Sequence, residues 1–180
     1  MRRLVALLAL AGGFGWSQQA RREVVKPTTP AEDSRPNSDQ VPEVFTVPAR
    51  LERLLVLRFK YQADLLGGLE NAVQRLGVRN AVILAGAGSV RGYHVHAVSN
   101  RTFPSKNIYV RDPSAPADIV SMNGYVLEGR VHAHVTLADA DRAFGGHLEP
   151  GTEVFTFAIV TLGVLADTPD LRRLDDKTWR

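Results

Sequence analysis

The segment from Thr152 to Leu165 reads TEVFTFAIVTLGVL and is almost continuously apolar. β-Branched and aromatic residues at this density favour a β-strand. A strand that is apolar on both sides must be covered on both sides. A helix would cover one side of this strand, so we expect a second subunit to cover the other side. The segment therefore favours a sheet-based homo-oligomer.

One helix is predicted clearly, in residues 63–78, ADLLGGLENAVQRLGV. Its apolar residues recur at helical spacing and form a single stripe. Asp64 is suited to cap the helix N-terminus, and Gly77 stands where a left-handed residue ends a helix. The stripe consists of Leu65, Leu69, Ala72, Val73 and Leu76.

About seven strands are expected around this helix, joined mainly by short loops. Gly86 and Gly88 are expected to bend the chain between two separate strands, and residues 137–146, LADADRAFGG, to form a turn-rich connection. This order predicts an α+β fold, a mainly antiparallel β-sheet packed with one main α-helix. The other predicted strands are Leu54–Phe59, Ala81–Leu84, Tyr93–Val98, Ile119–Val126 and residues 130–137.

The N-terminus has the pattern of an export signal. Residues 1–20 combine Arg2 and Arg3 with a short apolar run and then small and polar residues, which predicts a cleaved signal peptide and a periplasmic or secreted protein with no membrane span in its mature form. Residues 21–48 contain five prolines and predict a flexible linker. A folded domain over residues 49–168 and a C-terminal tail over 169–180 complete the predicted organisation.

The charge balance argues against nucleic-acid binding. The chain has 22 Lys and Arg against 19 Asp and Glu. Loss of Arg2 and Arg3 with the signal peptide leaves 20 against 19, without a basic stripe. Proteins that neutralise several DNA phosphates normally carry a basic surplus, so we do not expect DNA as a partner. The absence of cysteine excludes a thiol nucleophile and disulfides.

The histidines are the chemically distinctive residues. In RVHAHVTL, residues 130–137, strict alternation places His132 and His134 on one face of a strand. Gly145 and Gly146 would let the returning chain bring His147 to the same face. Three imidazoles suit zinc and leave a fourth position open. Histidines that merely line an exposed strand are the alternative.

Further polar residues flank this predicted site. His94 and His96 form a second His-x-His on a neighbouring predicted strand. We consider three roles for them: members of a shared imidazole cluster, contacts to a bound ligand, or an exposed strand edge. Asp139 and Asp141 are expected to shape a turn. Glu149 is the candidate general base, or a partner that orients the histidines.

The quoted residues carry a family resemblance. HAHVTLADAD (132–141) and GGHL (145–148) resemble the HLHVSLADADG and GGHL stretches of the PPC domain, the plants and prokaryotes conserved domain. Val120–Gly124 and Gly151–Val154 match the family's adjoining stretches, and the likeness spans residues 51–167. Residues 99–117 depart from it as a long insert.

The resemblance implies a PPC-like domain that assembles as a homotrimer. In prokaryotic members the histidines that match His132, His134 and His147 form a metal site, generally taken as zinc. Plant relatives join the domain to Arg-Gly-Arg-Pro motifs that enter the DNA minor groove, and this sequence has no such motif.

Two functions follow as hypotheses. The first is an exported metal-binding protein that binds or transforms an unidentified small ligand at the three-histidine site. The second is a DNA-binding or regulatory module without enzymatic activity. A trimer that serves only as a scaffold is a third hypothesis.

Overall fold

The computed structural model describes residues 21–25, 38–166 and 171–176, and the first of these ranges is described by its backbone alone. The predicted signal peptide, residues 1–20, lies outside the described residues, as do residues 26–37, 167–170 and 177–180. The elements are β1 (Arg21–Val25), β2 (Leu51–Phe59), α1 (Leu65–Arg75), β3 (Ala81–Val98), β4 (Asn107–Asp112), β5 (Ala117–Leu127), β6 (Arg130–Ala138), β7 (Ala143–Leu148), β8 (Glu153–Leu165) and the 3₁₀ helix η1 (Arg172–Asp175).

The eight described strands form one antiparallel sheet, and β3 organises it. The first half of β3 lies between β5 and β8, and its second half lies between β4 and β7. Strand β5 pairs with β6, and β6 pairs with β7. Because β3 pairs with both β5 and β7, these four strands form a closed ring of pairings. The predicted fold class, a mainly antiparallel sheet with one main helix, is confirmed.

Helix α1 begins and ends as its sequence predicts. The Asp64 side chain accepts a hydrogen bond from the backbone N–H of Gly67 at 2.8 Å, and Gly77 adopts a φ of 61° just after the helix. Leu65, Leu69 and Val73 are buried against the sheet. Each such side chain contributes about 1.5–3 kcal/mol of burial free energy, so the stripe holds α1 on the sheet.

Two local predictions were wrong, and the structure also has a strand within the predicted linker. Residues 81–98 form one long strand, not two, because bulges at the glycine-bearing bend leave the ladder intact on both sides. The paired glycines lie inside β7, and the connecting turn is confined to residues 139–142. Arg21–Val25, in the predicted linker, form a strand against β4, since pairing of an exposed strand edge needs only main-chain groups.

Strand β8 has one buried face and one exposed face. Ala158, Val160 and Leu162 lie in the core, whereas Phe155, Phe157 and Ile159 are exposed. The neighbouring strands extend the exposed apolar face with Leu54, Val56 and Leu84. The helix therefore covers one side of the strand, and the other side is solvent-facing in the single chain.

No helix in the described part of the chain has the length and apolar character needed to span a bilayer.

Candidate metal centre

Strand register brings three histidines into one row. His147 on β7 lies opposite His96 on β3 and also opposite His134 on β6. Directly opposed residues of antiparallel strands point to the same face, with Cβ atoms about 4.5–5.5 Å apart. His132, two residues before His134 on β6, projects to the same face. These four residues, His96, His132, His134 and His147, are called the histidine cluster below.

The rings of the cluster are in contact. His96 stacks on His147 with ring centroids 4.5 Å apart, and His132 stacks on His134 at 5.3 Å. His147 meets His132 edge-on at 4.9 Å and His134 at 5.4 Å. The three sequence-predicted ligands thus lie together, and the structure adds His96 to them.

Two ring nitrogens have the spacing of metal ligands. His132 Nε2 and His134 Nε2 are 3.2 Å apart. Two nitrogens that each lie about 2.0–2.1 Å from a tetrahedral zinc ion are separated by about 3.3 Å. The separation of this pair therefore matches that of two ligands of one ion, and it is also a hydrogen-bond distance.

Among the described residues, the group of three whose ligand atoms have the spacing of a metal site differs from the predicted triad and shares only His147 with it. His96, His147 and Glu149 offer ligand atoms that all lie within 4.8 Å of one another. Glu149 Oε1 is 2.5 Å from His96 Nδ1 and 3.4 Å from His147 Nδ1. His147 Nδ1 is buried and lacks a hydrogen-bond partner among the described residues. A buried polar atom without a partner is costly, and a cation held by this group would satisfy it.

Burial and neighbouring imidazoles favour the neutral form of two cluster histidines, His134 and His147. Burial lowers the pKa of His134, and the neighbouring His132 and His96 lower it further. Burial also lowers the pKa of His147, as do His96 and His132, and their effect outweighs the opposing influence of Glu149. Neutral imidazole is the form that binds metal, so the lowered pKa values favour the form of these two rings that a metal site requires.

Paired glycines allow β7 to lie between β6 and β3. A Cβ atom on Gly145 would stand 2.0 Å from the carbonyl oxygen of Val135, and one on Gly146 would stand 2.2 Å from that of His96. Such distances are far inside van der Waals contact. The close approach that brings His147 to its neighbours therefore depends on glycine at both positions.

The remaining predicted residues lie outside the ring contacts of the cluster. His94 Nδ1 is 2.9 Å from the carbonyl oxygen of Pro150, beside Tyr109 rather than in the ring contacts of the cluster. Tyr109, on a strand inside the predicted insert, lies 4.8 Å from His96 by ring centroids. The Asp139 side chain accepts hydrogen bonds from the backbone N–H groups of Asp141 and Arg142, both at 2.9 Å, so it shapes the turn as expected.

Sequence reasoning left one contact of the cluster open and missed another. It allowed His96 to join a shared imidazole cluster, to contact a ligand or to line an exposed strand edge, and the β3–β7 register shows that this residue faces His147. It did not consider Asp175, whose Oδ1 lies 3.0 Å from His132 Nδ1. The second His-x-His on β3 was the available signal for His96, whereas nothing local marks Asp175.

Residues 48–166 match the model of the family described as the Plants and Prokaryotes Conserved (PCC) domain. Two curated relatives are each named Bifunctional protein GlmU, from Synechococcus strains. The chain is 41% identical to one over 56 residues, which are 31% of this chain and 8% of the relative. It is 28% identical to the other over 139 residues, which are 77% of this chain and 21% of the relative. The chain thus spans about a fifth or less of these relatives.

Solved structures share the fold at low identity. A metal-containing protein from Archaeoglobus fulgidus matches with a TM-score of 0.60 and 21% identity, over 75% of this chain and 95% of that one. A plant- and prokaryote-conserved (PPC) protein from Pyrococcus horikoshii matches with a TM-score of 0.59 and 23% identity, over 76% and 94% of the two chains. At this identity the likeness establishes the fold alone.

Proposed function

The chain belongs to the Plants and Prokaryotes Conserved (PCC) domain family, and from this premise we propose that it is a zinc-binding protein that binds or transforms a small ligand at its histidine cluster. The observation that carries the proposal is the 3.2 Å separation of His132 Nε2 and His134 Nε2, next to His147. The name of the Archaeoglobus fulgidus protein describes that protein as metal-containing, which is in keeping with the proposal.

The donor set suits zinc. Nitrogen ligands from neutral imidazoles, with a carboxylate near by, are a common zinc environment. His132, His134 and His147 would hold the ion, and His96 and Glu149 flank it on the β3 side. A zinc ion with an open position supplies Lewis acidity and lowers the pKa of bound water to about 7.

Glu149 is better placed to orient histidines than to take a proton from a ligand. Its Oε1 lies within hydrogen-bond distance of His96 Nδ1, and both side chains are mostly buried. Its backbone N–H also donates to the carbonyl oxygen of His94 at 3.0 Å. A carboxylate that is held in this way fixes the orientation of His96 and faces His147 from one side.

Metal analysis tests the proposal. The purified full-length protein is expected to bind one zinc ion per chain in competition with a chromogenic chelator, and to lose it on His132→Gln or His147→Gln. His94→Gln is the matched control, because His94 lies next to the cluster but outside its ring contacts, and it should retain zinc. Absence of transition-metal binding, or unchanged binding in all three variants, would sink this function.

We further propose that the protein assembles as a homotrimer through the apolar face of β2, β3 and β8. Exposed Val56, Phe157 and Ile159 on this face would be covered by a second copy, which fits the hydrophobicity expected of obligate interfaces. Light scattering should give three chains per particle for the unsubstituted protein and a single chain for Phe157→Lys. The exposed Val44→Lys serves as the control, since it lies outside the sheet. A monomeric unsubstituted protein would refute the assembly.

Export is the remaining part of the proposal. Residues 1–20, which carry the signal-peptide pattern, should direct a reporter that is active only outside the cytoplasm when residues 1–25 are fused to it. Failure of that fusion would revive the DNA-binding alternative, which requires access to the chromosome. A DNA mobility assay at physiological salt would then decide between the two functions.

A further inference from the structure

His132 is held on two sides by different partners. Its Nδ1 lies 3.0 Å from Asp175 Oδ1, and its Nε2 lies 3.2 Å from His134 Nε2. An ionised carboxylate only accepts hydrogen bonds, so the neutral ring must carry its proton on Nδ1. The Nε2 lone pair then faces the histidine cluster, where a metal ion would need it.

Asp175 comes from a segment outside the matched family region. It ends η1, a short 3₁₀ turn that is anchored by the buried Leu171, whereas the family match ends at residue 166. Leu174 on the same turn forms one wall of a cavity of about 340 Å³, with Tyr125, Leu127 and His132 on the other walls. The segment thus lies against the cluster and brings a carboxylate to one of its ligands.

We infer that Asp175 is a positioning residue of the metal site: its carboxylate fixes the tautomer and orientation of His132 so that Nε2 is presented to the ion. The inference rests on the proposed zinc function and deepens it. Partners of this kind typically change metal affinity by about 10–100-fold. Since the Asp175 side chain is 33% exposed, we expect a loss at the low end, about tenfold.

Three variants of the full-length protein test the inference. Asp175→Ala removes the acceptor, Asp175→Asn keeps a neutral acceptor, and Asp176→Ala removes a charge from the exposed neighbouring residue. Two quantities are measured: zinc affinity by chelator competition, and the His132 tautomer from ¹⁵N chemical shifts in metal-free protein at a fixed pH of about 8, where imidazoles are neutral. The loss of one signal in His132→Gln assigns the resonance.

The expected pattern separates positioning from simple charge. Asp175→Ala should bind zinc about tenfold more weakly and lose the preference for the Nδ1–H tautomer. Asp175→Asn should retain that tautomer and show an intermediate affinity, and Asp176→Ala should match the unsubstituted protein in both measurements. Equal losses of affinity in Asp175→Asn and Asp176→Ala would mean that only net charge matters, and would overturn the inference.

The two measurements also separate this inference from the function beneath it. An unsubstituted protein that binds no zinc refutes the proposed function, while the tautomer of His132, which is measured without metal, still shows whether Asp175 orients the ring. Normal zinc binding with an unchanged tautomer and affinity in Asp175→Ala refutes the positioning role alone.

Discussion

Gly145→Ala should destabilise the protein and separate the histidines at the same time. The new Cβ atom would stand 2.0 Å from the carbonyl oxygen of Val135 and 3.1 Å from the Cα of Thr136, whereas ordinary contacts begin near 3.4 Å. Both obstacles are backbone atoms, so no side-chain rotation relieves the clash. Strands β6 and β7 must move apart by roughly 1 Å or more, beyond the range of a hydrogen bond.

The cost follows from this separation. Two lost ladder hydrogen bonds cost about 0.5–1.5 kcal/mol each, and overpacking adds about 1–3 kcal/mol. The reduced freedom of the unfolded chain offsets about 0.4–1 kcal/mol. We therefore expect a net loss of about 1–6 kcal/mol, centred near 3 kcal/mol. At that central value the Tm falls by about 6–12 °C for a chain of this size.

Thermal unfolding of metal-free protein, followed by zinc competition, measures both effects. Zinc affinity should fall because His147 moves away from His134, its partner across the two strands. Gly129→Ala is the control: its φ is 77° and a Cβ would meet nothing within 4 Å, so only the backbone cost of about 1–2 kcal/mol remains and zinc binding should persist. A Gly145→Ala protein with a Tm within about 2 °C of the unsubstituted one, and with equal zinc affinity, would refute the reasoning.

Further predictions concern the helix cap and pH. The Asp64 side chain caps α1 by accepting a hydrogen bond from Gly67 N–H, and it also accepts one from Gly151 N–H at 2.6 Å. Asp64→Ala should therefore lower the free energy of unfolding in urea by at least about 1–2 kcal/mol. Asp64→Asn should lower it by less, and equal losses in the two variants would contradict a role for the hydrogen bonds. The pKa values of His134 and His147 are lowered from the usual 6.5, so as pH falls the unfolded chain takes up protons before the folded one does. The stability of metal-free protein should therefore be retained above about pH 6.5 and fall below it. The double variant His134→Gln/His147→Gln should show a weaker pH dependence, and an identical profile would argue against lowered pKa values at these two residues.

Local patterns predicted those parts of the fold that depend on local chemistry. The helix cap, the glycine that ends the helix and the alternation along β6 were all correct, because each is decided within a few residues. The unbroken strand β3 was not predicted. Its continuity depends on partners at residues 107–112 and 143–165, and these long-range pairings leave no local trace.

The candidate site shows the same difference between what local sequence predicts and what long-range pairing decides. The alternation of His132 and His134, and the glycines before His147, carried enough information to predict that these three rings meet. The sequence left the membership of His96 open, because its place depends on the register between β3 and β7. Asp175 was missed because it lies 43 residues from His132, on a turn whose position against β6 depends on tertiary packing.

The placement of two carboxylates explains why the cluster suits a metal ion better than protons. Glu149 and Asp175 contact the Nδ1 atoms of His96 and His132, and so hold the protons of those rings on the side away from their Nε2 atoms. His134 and His147 have lowered pKa values because burial and neighbouring imidazoles oppose a positive charge. Glu149 acts in the opposite direction on His147, but burial and His96 outweigh it. A proton on His134 or His147 would remain close to other imidazoles, whereas one divalent ion between the rings would use their lone pairs together. Preference for a metal ion over protons therefore follows from the two carboxylates that orient His96 and His132 and from the imidazoles that surround His134 and His147.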